Sequence, residues 1–90
     1  MVRSKAVFDF GNVEDILTAL RFSKREVKVA LALLEEKSAR ASIIGKKTDE
    51  PRQTVYSILK RFGEQGLVTS TVRGGIRYFV CDYRHLARFI

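Results

Sequence analysis

The chain has 90 residues, 17 Lys and Arg against 10 Asp and Glu, a formal net charge of +7 and a 46% hydrophobic composition. That length supports one compact domain over residues 1–90 with a modest core and leaves no room for a second. A single Cys excludes an intramolecular disulfide framework, no stretch approaches the roughly 20 apolar residues of a membrane-spanning helix, and the positive balance favours a polyanionic partner without naming it.

Residues 1–11 follow neither a helical nor a strand period and read as an N-terminal arm, with "AVFDF" suited to a lead-in strand. The opening "MVRSKAVFDFG" has two basic residues but no apolar run of the length a signal peptide needs, so a cytoplasmic location is expected. Arg3 and Lys5 read as part of a disordered start, the alternative being an arm that enters a DNA groove. Asn12 is placed to cap a short helix whose apolar positions are Val13, Ile16, Leu17 and Leu20, with Glu14 and Asp15 near its positive end.

Ser23 and Glu26 have capping-box spacing, flanked by Phe22 and Val27 as a hydrophobic staple, which predicts a second helix over about Lys24 to Glu36. Its core stripe is Val27, Ala30, Leu31 and Leu34. Val29, Ala32 and Leu33 lie on the other side, so a second cover is needed: the first helix, the C-terminal segment or another subunit. Ser38 to Arg40 form a short extended entry to a third helix, about Ala41 to Lys47, with Ile43 and Ile44 facing inward.

A three-residue turn, "TDE", separates that helix from the next, which is helix-turn-helix spacing. Pro51 suits the first helical position, where its missing N–H costs nothing. Over about 51–65, Val55, Ile58, Leu59 and Phe62 recur at the spacing of a core-facing stripe. The opposite flank presents Gln53, Tyr56, Ser57 and Lys60, with Arg52 and Thr54 near the start. Gly66 caps the helix end.

From Leu67 the pattern alternates. Val68, Ser70 and Val72 point one way, and Thr69, Thr71 and Arg73 the other. Gly74-Gly75 tolerates the positive φ of a two-residue hairpin turn, and Ile76, Tyr78 and Val80 continue the return strand, making a ribbon over 67–81 with Arg73 and Arg77 at or beside its tip. Cys81 reads as a small apolar strand residue. Residues 82–90 form a short helical segment with Tyr83, Leu86, Ala87 and Ile90 on one side.

The chain holds one His, one Cys and no acid, His or Cys group at metal-ligand spacing, so neither an enzyme active site nor a metal or cofactor is expected. Duplex recognition fits the residues better. Gln pairs bidentately with adenine and Arg with guanine, whereas Ser, Thr and Tyr hydroxyls commonly take phosphate oxygens. The candidate contacts are therefore Arg52, Gln53, Thr54, Tyr56, Ser57 and Lys60 on the helix after the turn. To these are added Lys46 and Lys47 on the helix before it, and Arg73 and Arg77 on the ribbon. Each has an ordinary counterpart: a solvated helix face, surface lysines, or charges that protect a strand edge from aggregation.

The segment "LRFSKREVKVALALLEEKSARASIIGKKTDEPRQTVYSILKRFGEQGLV" resembles the DNA-binding domain of TrmB-like transcription regulators, winged helix-turn-helix proteins found chiefly in archaea. "FSKREVKV", "PRQTVYSILKRF" and "GLV" are its most specific pieces, and Pro51 to Tyr56 fall on the start of the family's recognition helix. The resemblance implies a mainly α (α+β) winged helix-turn-helix, with three to four core helices, a two-stranded β-hairpin wing and a short C-terminal helix. It also implies sequence-specific binding to double-stranded DNA as a homodimer, with transcriptional control as the outcome. Family members commonly continue into a coiled-coil linker and a sugar-binding domain, and this chain stops at Ile90, so no small-molecule effector domain is expected. Ala30 stands where a Tyr is common, and "TDE" replaces a Gly-containing turn. Two further readings remain open: an architectural protein coating DNA without sequence preference, and a winged-helix module that binds a protein partner.

Overall fold

The computed structural model describes residues 10–81 and 84, with side-chain surroundings from residue 14 onward. Helix α1 spans Phe10–Ala19, α2 Lys24–Glu36, α3 Ala41–Thr48 and α4 Arg52–Glu64. Strand β1 is Ser38–Ala39, β2 Thr69–Arg73 and β3 Ile76–Val80. The strands form one antiparallel sheet in the order β1-β3-β2, with Ala39 opposite Phe79 and Ser70 opposite Phe79 on its other side. Of the arm expected over 1–11, residues 1–9 lie outside the described residues, whereas Phe10 and Gly11 belong to α1 and are helical, not arm or lead-in strand; most of the 82–90 segment also lies outside the described residues.

Helix α2 begins where the capping box predicts. The Ser23 backbone N–H donates to Glu26 Oε1 at 2.8 Å, and the Glu26 N–H donates to Ser23 Oγ at 3.1 Å. Its burial corrects the expected face: Val27, Val29, Ala30, Ala32 and Leu33 are buried, whereas Leu31 and Leu34 are only half-buried. The cause is position, since α2 packs against α1, α3, α4 and β1. The side carrying Val29, Ala32 and Leu33 is thus covered within this chain and is not spare surface for a second subunit.

Three boundaries also differ from expectation. Helix α1 starts at Phe10, so Asn12 lies inside it rather than capping it. Helix α3 runs on to Thr48, whose hydroxyl, buried, donates back to the Ile44 carbonyl at 2.8 Å. Pro51 is the N-cap of α4, not its first residue: ψ of 143° keeps it extended while its carbonyl accepts from the Val55 N–H at 3.0 Å. Neither position needs a proline N–H, so sequence alone does not choose between them.

The turn between α3 and α4 is closed by Asp49 in the left-handed region, at φ 58° and ψ 40°, with the Glu50 N–H donating to the Gly45 carbonyl at 3.0 Å. Asp is among the few residues that enter this region readily. Helix α4 ends as predicted, at Gly66 with φ 80°. The Leu67 N–H reaches the Phe62 carbonyl at 2.9 Å and the Gly66 N–H that of Gly63 at 3.1 Å, the paired bonds of a Schellman motif. The predicted stripe Val55, Ile58, Leu59 and Phe62 is buried, and Phe62 meets Phe22 edge-on at 5.7 Å.

At the hairpin tip, Gly74 and Gly75 take φ of 58° and 76°, the two positive values that a type I′ turn demands. Strand β2 is exposed along its whole length, so the hairpin projects from the body as a wing. The inward residue of β3 is Phe79, buried with Cys81 behind it, while Tyr78 and Val80 are half-buried. The Cys81 N–H donates to the Lys37 carbonyl at 3.2 Å, which fixes the wing root against the end of α2.

Candidate nucleic-acid interface

The buried stripe of α4 leaves its other flank facing out. Arg52, Gln53, Tyr56, Ser57 and Lys60 are all exposed, as the helical period predicts, and Thr54 is half-buried. One wall of a groove is made by this flank and the other by one face of the wing. Strand alternation decides which wing residues face it. By register, Ser70, Val72, Arg77 and Phe79 share a face, and Thr71, Arg73 and Tyr78 project on the other, while Ile76, beside the turn, also lines the groove.

Arg77 therefore lies in the groove with Arg52, Gln53, Tyr56 and Ser57, and its Nη1 donates to Ser70 Oγ at 2.9 Å. Lys60 lines the far stretch of the same groove, where Glu64 is also found. Arg73 does not share that surface: its guanidinium stands 4.8 Å from the Tyr78 ring centroid on the outer face. The Tyr56 ring packs edge-on against Phe79 with centroids 5.7 Å apart, so the two walls touch at the groove floor. Val72 is 56% exposed on the wing wall.

Apart from Glu64, the described lining holds no carboxylate, and the ion-paired acids sit elsewhere. Glu50, in the turn, binds Arg25 Nε at 3.1 Å and Lys28 Nζ at 2.9 Å, both from α2. The Lys28 hydrogen bond, aided by the charge of Arg25 and opposed by desolvation, holds the Glu50 carboxyl below its ordinary range. Lys47 lies between Glu35 at 2.7 Å and Glu36 at 3.0 Å, and these two bonds, Glu35 first, hold its ammonium above its ordinary value. Arg61 pairs with Glu26. Among the described residues, Arg52, Lys60 and Arg77 have no carboxylate partner, and with Glu64 the one acid among the described lining residues the groove keeps a positive balance.

Of the predicted contacts, the structure thus brings together Arg52, Gln53, Tyr56, Ser57, Lys60 and Arg77. Lys46 is exposed on α3 away from the lining, Lys47 is held by two acids, and Arg73 lies on the other wing face. Among the lining residues that were not anticipated are Arg40 and Ser42 at the start of α3. They reach the groove because β1 pairs with β3, which carries the residues just after it to the wing root. A basic residue directly before a helix was the only sequence signal.

In sequence, a family model described as sugar-specific transcriptional regulator TrmB matches residues 17–84. No curated protein matches the chain. Among solved structures, that of disulfide-formed AbfR is similar with a TM-score of 0.67 at 20% identity, covering 94% of this chain and 59% of that one. A MarR family transcriptional regulator, SPO1453 from Silicibacter pomeroyi DSS-3, is similar with a TM-score of 0.64 at 20% identity, covering 96% of this chain and 62% of that one. The chain spans about six-tenths of the length of either. These likenesses establish the winged helix-turn-helix fold. No described helix is long and apolar enough to cross a membrane.

Proposed function

The chain belongs to the TrmB family of transcriptional regulators, and from that premise we propose that it binds double-stranded DNA sequence-specifically to regulate transcription. Helix α4 enters the major groove, and the wing lies on the adjacent groove or backbone. One observation carries this reading: exposed Gln53 and Ser57 share a groove with Arg52, Lys60 and Arg77, cations that form no ion pair among the described residues. Gln53 and Arg52 read base edges, while Ser57, Lys60 and Arg77 hold phosphates. Tyr56 serves both as floor of the groove and as a hydroxyl donor to the backbone. A partner of this kind places the protein at the nucleoid.

A single module of this type buries about 600–1,000 Å² on DNA. Two copies on half-sites about 34–36 Å apart raise the affinity, and the reading includes a homodimer. Sedimentation showing a monomer at micromolar concentration, alone and on DNA, removes that part of it.

A second reading is favoured by the lining itself: Gln53 is the one amide among the described lining residues, and the cations serve any sequence. In that case the protein coats DNA without preference. Selection of bound duplexes from a random pool decides between them. The regulator returns an enriched site, and Gln53→Ala then weakens it by about 1–3 kcal/mol while relaxing one position. A pool that stays unenriched at undiminished affinity supports the coating protein.

A further inference from the structure

Arg40 occupies a position that helix chemistry ordinarily gives to another kind of residue. It is the N-cap of α3, with φ −89° and ψ 161°, the extended backbone from which Ser, Thr, Asp or Asn accepts a hydrogen bond from the first turn. An arginine side chain has donors only and cannot cap, and none of its atoms does so here. Elsewhere the same chain uses the full device, the reciprocal Ser23–Glu26 box at α2. The guanidinium of Arg40 is exposed and has no hydrogen-bond or carboxylate partner among the described residues. It lines the groove together with Arg52 and Arg77.

We propose that Arg40 is a phosphate contact of the DNA interface, placed there at the expense of the cap of α3. The inference rests on the duplex-binding reading and adds to it a third arginine from a third element. Arg52 comes from the start of α4, Arg77 from β3, and Arg40 from the link between β1 and α3. The pairing of Ala39 with Phe79 fixes the backbone of that link beside the wing root, so Arg40 does not depend on a mobile arm for its position. Its place beside the start of α3, rather than on the exposed flank of α4, assigns it to the DNA backbone and not to a base edge. Local sequence rules fail most often where function overrides them, and an uncapped helix start with a bare guanidinium in a cationic groove is such a failure.

Arg40→Asn tests this because it supplies a cap and removes the charge in one step. The melting temperature is expected to rise by about 4 °C. On a random-sequence duplex, the plot of log binding constant against log salt concentration is expected to flatten by about one unit. A purely structural residue would move stability and binding together, not in opposite directions. Arg40→Lys keeps the salt slope, and Lys24→Gln, on α2 and outside the groove, leaves it unchanged. If Arg40→Asn folds and keeps the wild-type slope while Arg77→Gln flattens it, the inference fails and the duplex-binding reading stands. If Arg52→Gln and Arg77→Gln also leave the slope untouched, DNA does not use this groove and both fail. A fall in melting temperature for Arg40→Asn overturns the claim that stability was given up at this position.

Discussion

The Tyr56 ring of α4 meets the Phe79 ring of β3 edge-on, at 5.7 Å between centroids and 78° between planes. It is the ring contact that ties the exposed helix flank to the wing, and Tyr56 remains 38% exposed on its other side. An aromatic pair of this geometry contributes about 0.5–1.5 kcal/mol beyond its buried area. Tyr56→Ala should lower stability by at least that amount and, by freeing the wing, reduce DNA affinity further than the stability loss explains. Tyr56→Phe should retain stability and show only the cost of the hydroxyl. Thermal melts paired with DNA titrations of the two variants separate these roles. Equal affinity for Tyr56→Ala and wild type would mean the contact does not set the wing.

Gly45 permits the turn between α3 and α4 to close. A Cβ built there would lie 2.9 Å from the Glu50 carbonyl oxygen, a backbone atom that cannot swing aside. Alanine gains about 1 kcal/mol in helix propensity, but overpacking costs about 1–3 kcal/mol. Gly45→Ala should therefore be net destabilising in urea unfolding and shift α4 relative to α3. A stabilised Gly45→Ala would show that the turn has slack.

Asp49 holds the left-handed position of that same turn. Glycine adopts it freely, so Asp49→Gly should change stability by less than about 1 kcal/mol, the gain in the turn offset by a looser unfolded chain. Asp49→Val should cost about 1–2 kcal/mol, since a β-branched residue there drives Cβ toward the following carbonyl. Denaturant midpoints for the two variants should fall on opposite sides of this gap.

The two perturbed charges act at opposite ends of the pH scale. Glu50 has its folded value held below the ordinary 4.5 by Lys28 and Arg25, so its contribution is fully present above that value and is lost as pH falls through the folded one. Lys47 has its value raised above the ordinary 10.5 by Glu35 and Glu36. Its contribution is present below 10.5 and is lost as pH rises through the folded value. Urea midpoints followed from acid to alkaline pH should show Glu50→Gln flattening only the acid limb and Lys47→Gln only the alkaline one.

Those parts of the molecule that are coded locally were readable from sequence. Ser23 and Glu26 announced the start of α2, Gly74-Gly75 announced the wing turn, and the spacing of Val55, Ile58, Leu59 and Phe62 fixed which flank of α4 faces out. What escaped depends on contacts between distant segments. A two-residue strand such as Ser38–Ala39 has no period to detect, yet its pairing with β3 brings Arg40 into the groove. The diversion of Lys47 to Glu35 and Glu36 follows from how α3 lies against α2, which no local pattern states. The faces of α2 were misassigned for the same reason, because a helix apolar on nearly all sides takes its burial from its neighbours.

The most direct test of the interface is a titration of ¹⁵N-labelled protein with a DNA duplex, read as changes in backbone amide shifts. The perturbed amides are expected to cluster at Arg40 to Ser42, Arg52 to Ser57 and Ser70 to Arg77, with α1 and the exposed side of α2 unmoved. Perturbations centred on Lys24, Lys28 or the end of α1, with the groove silent, would contradict it.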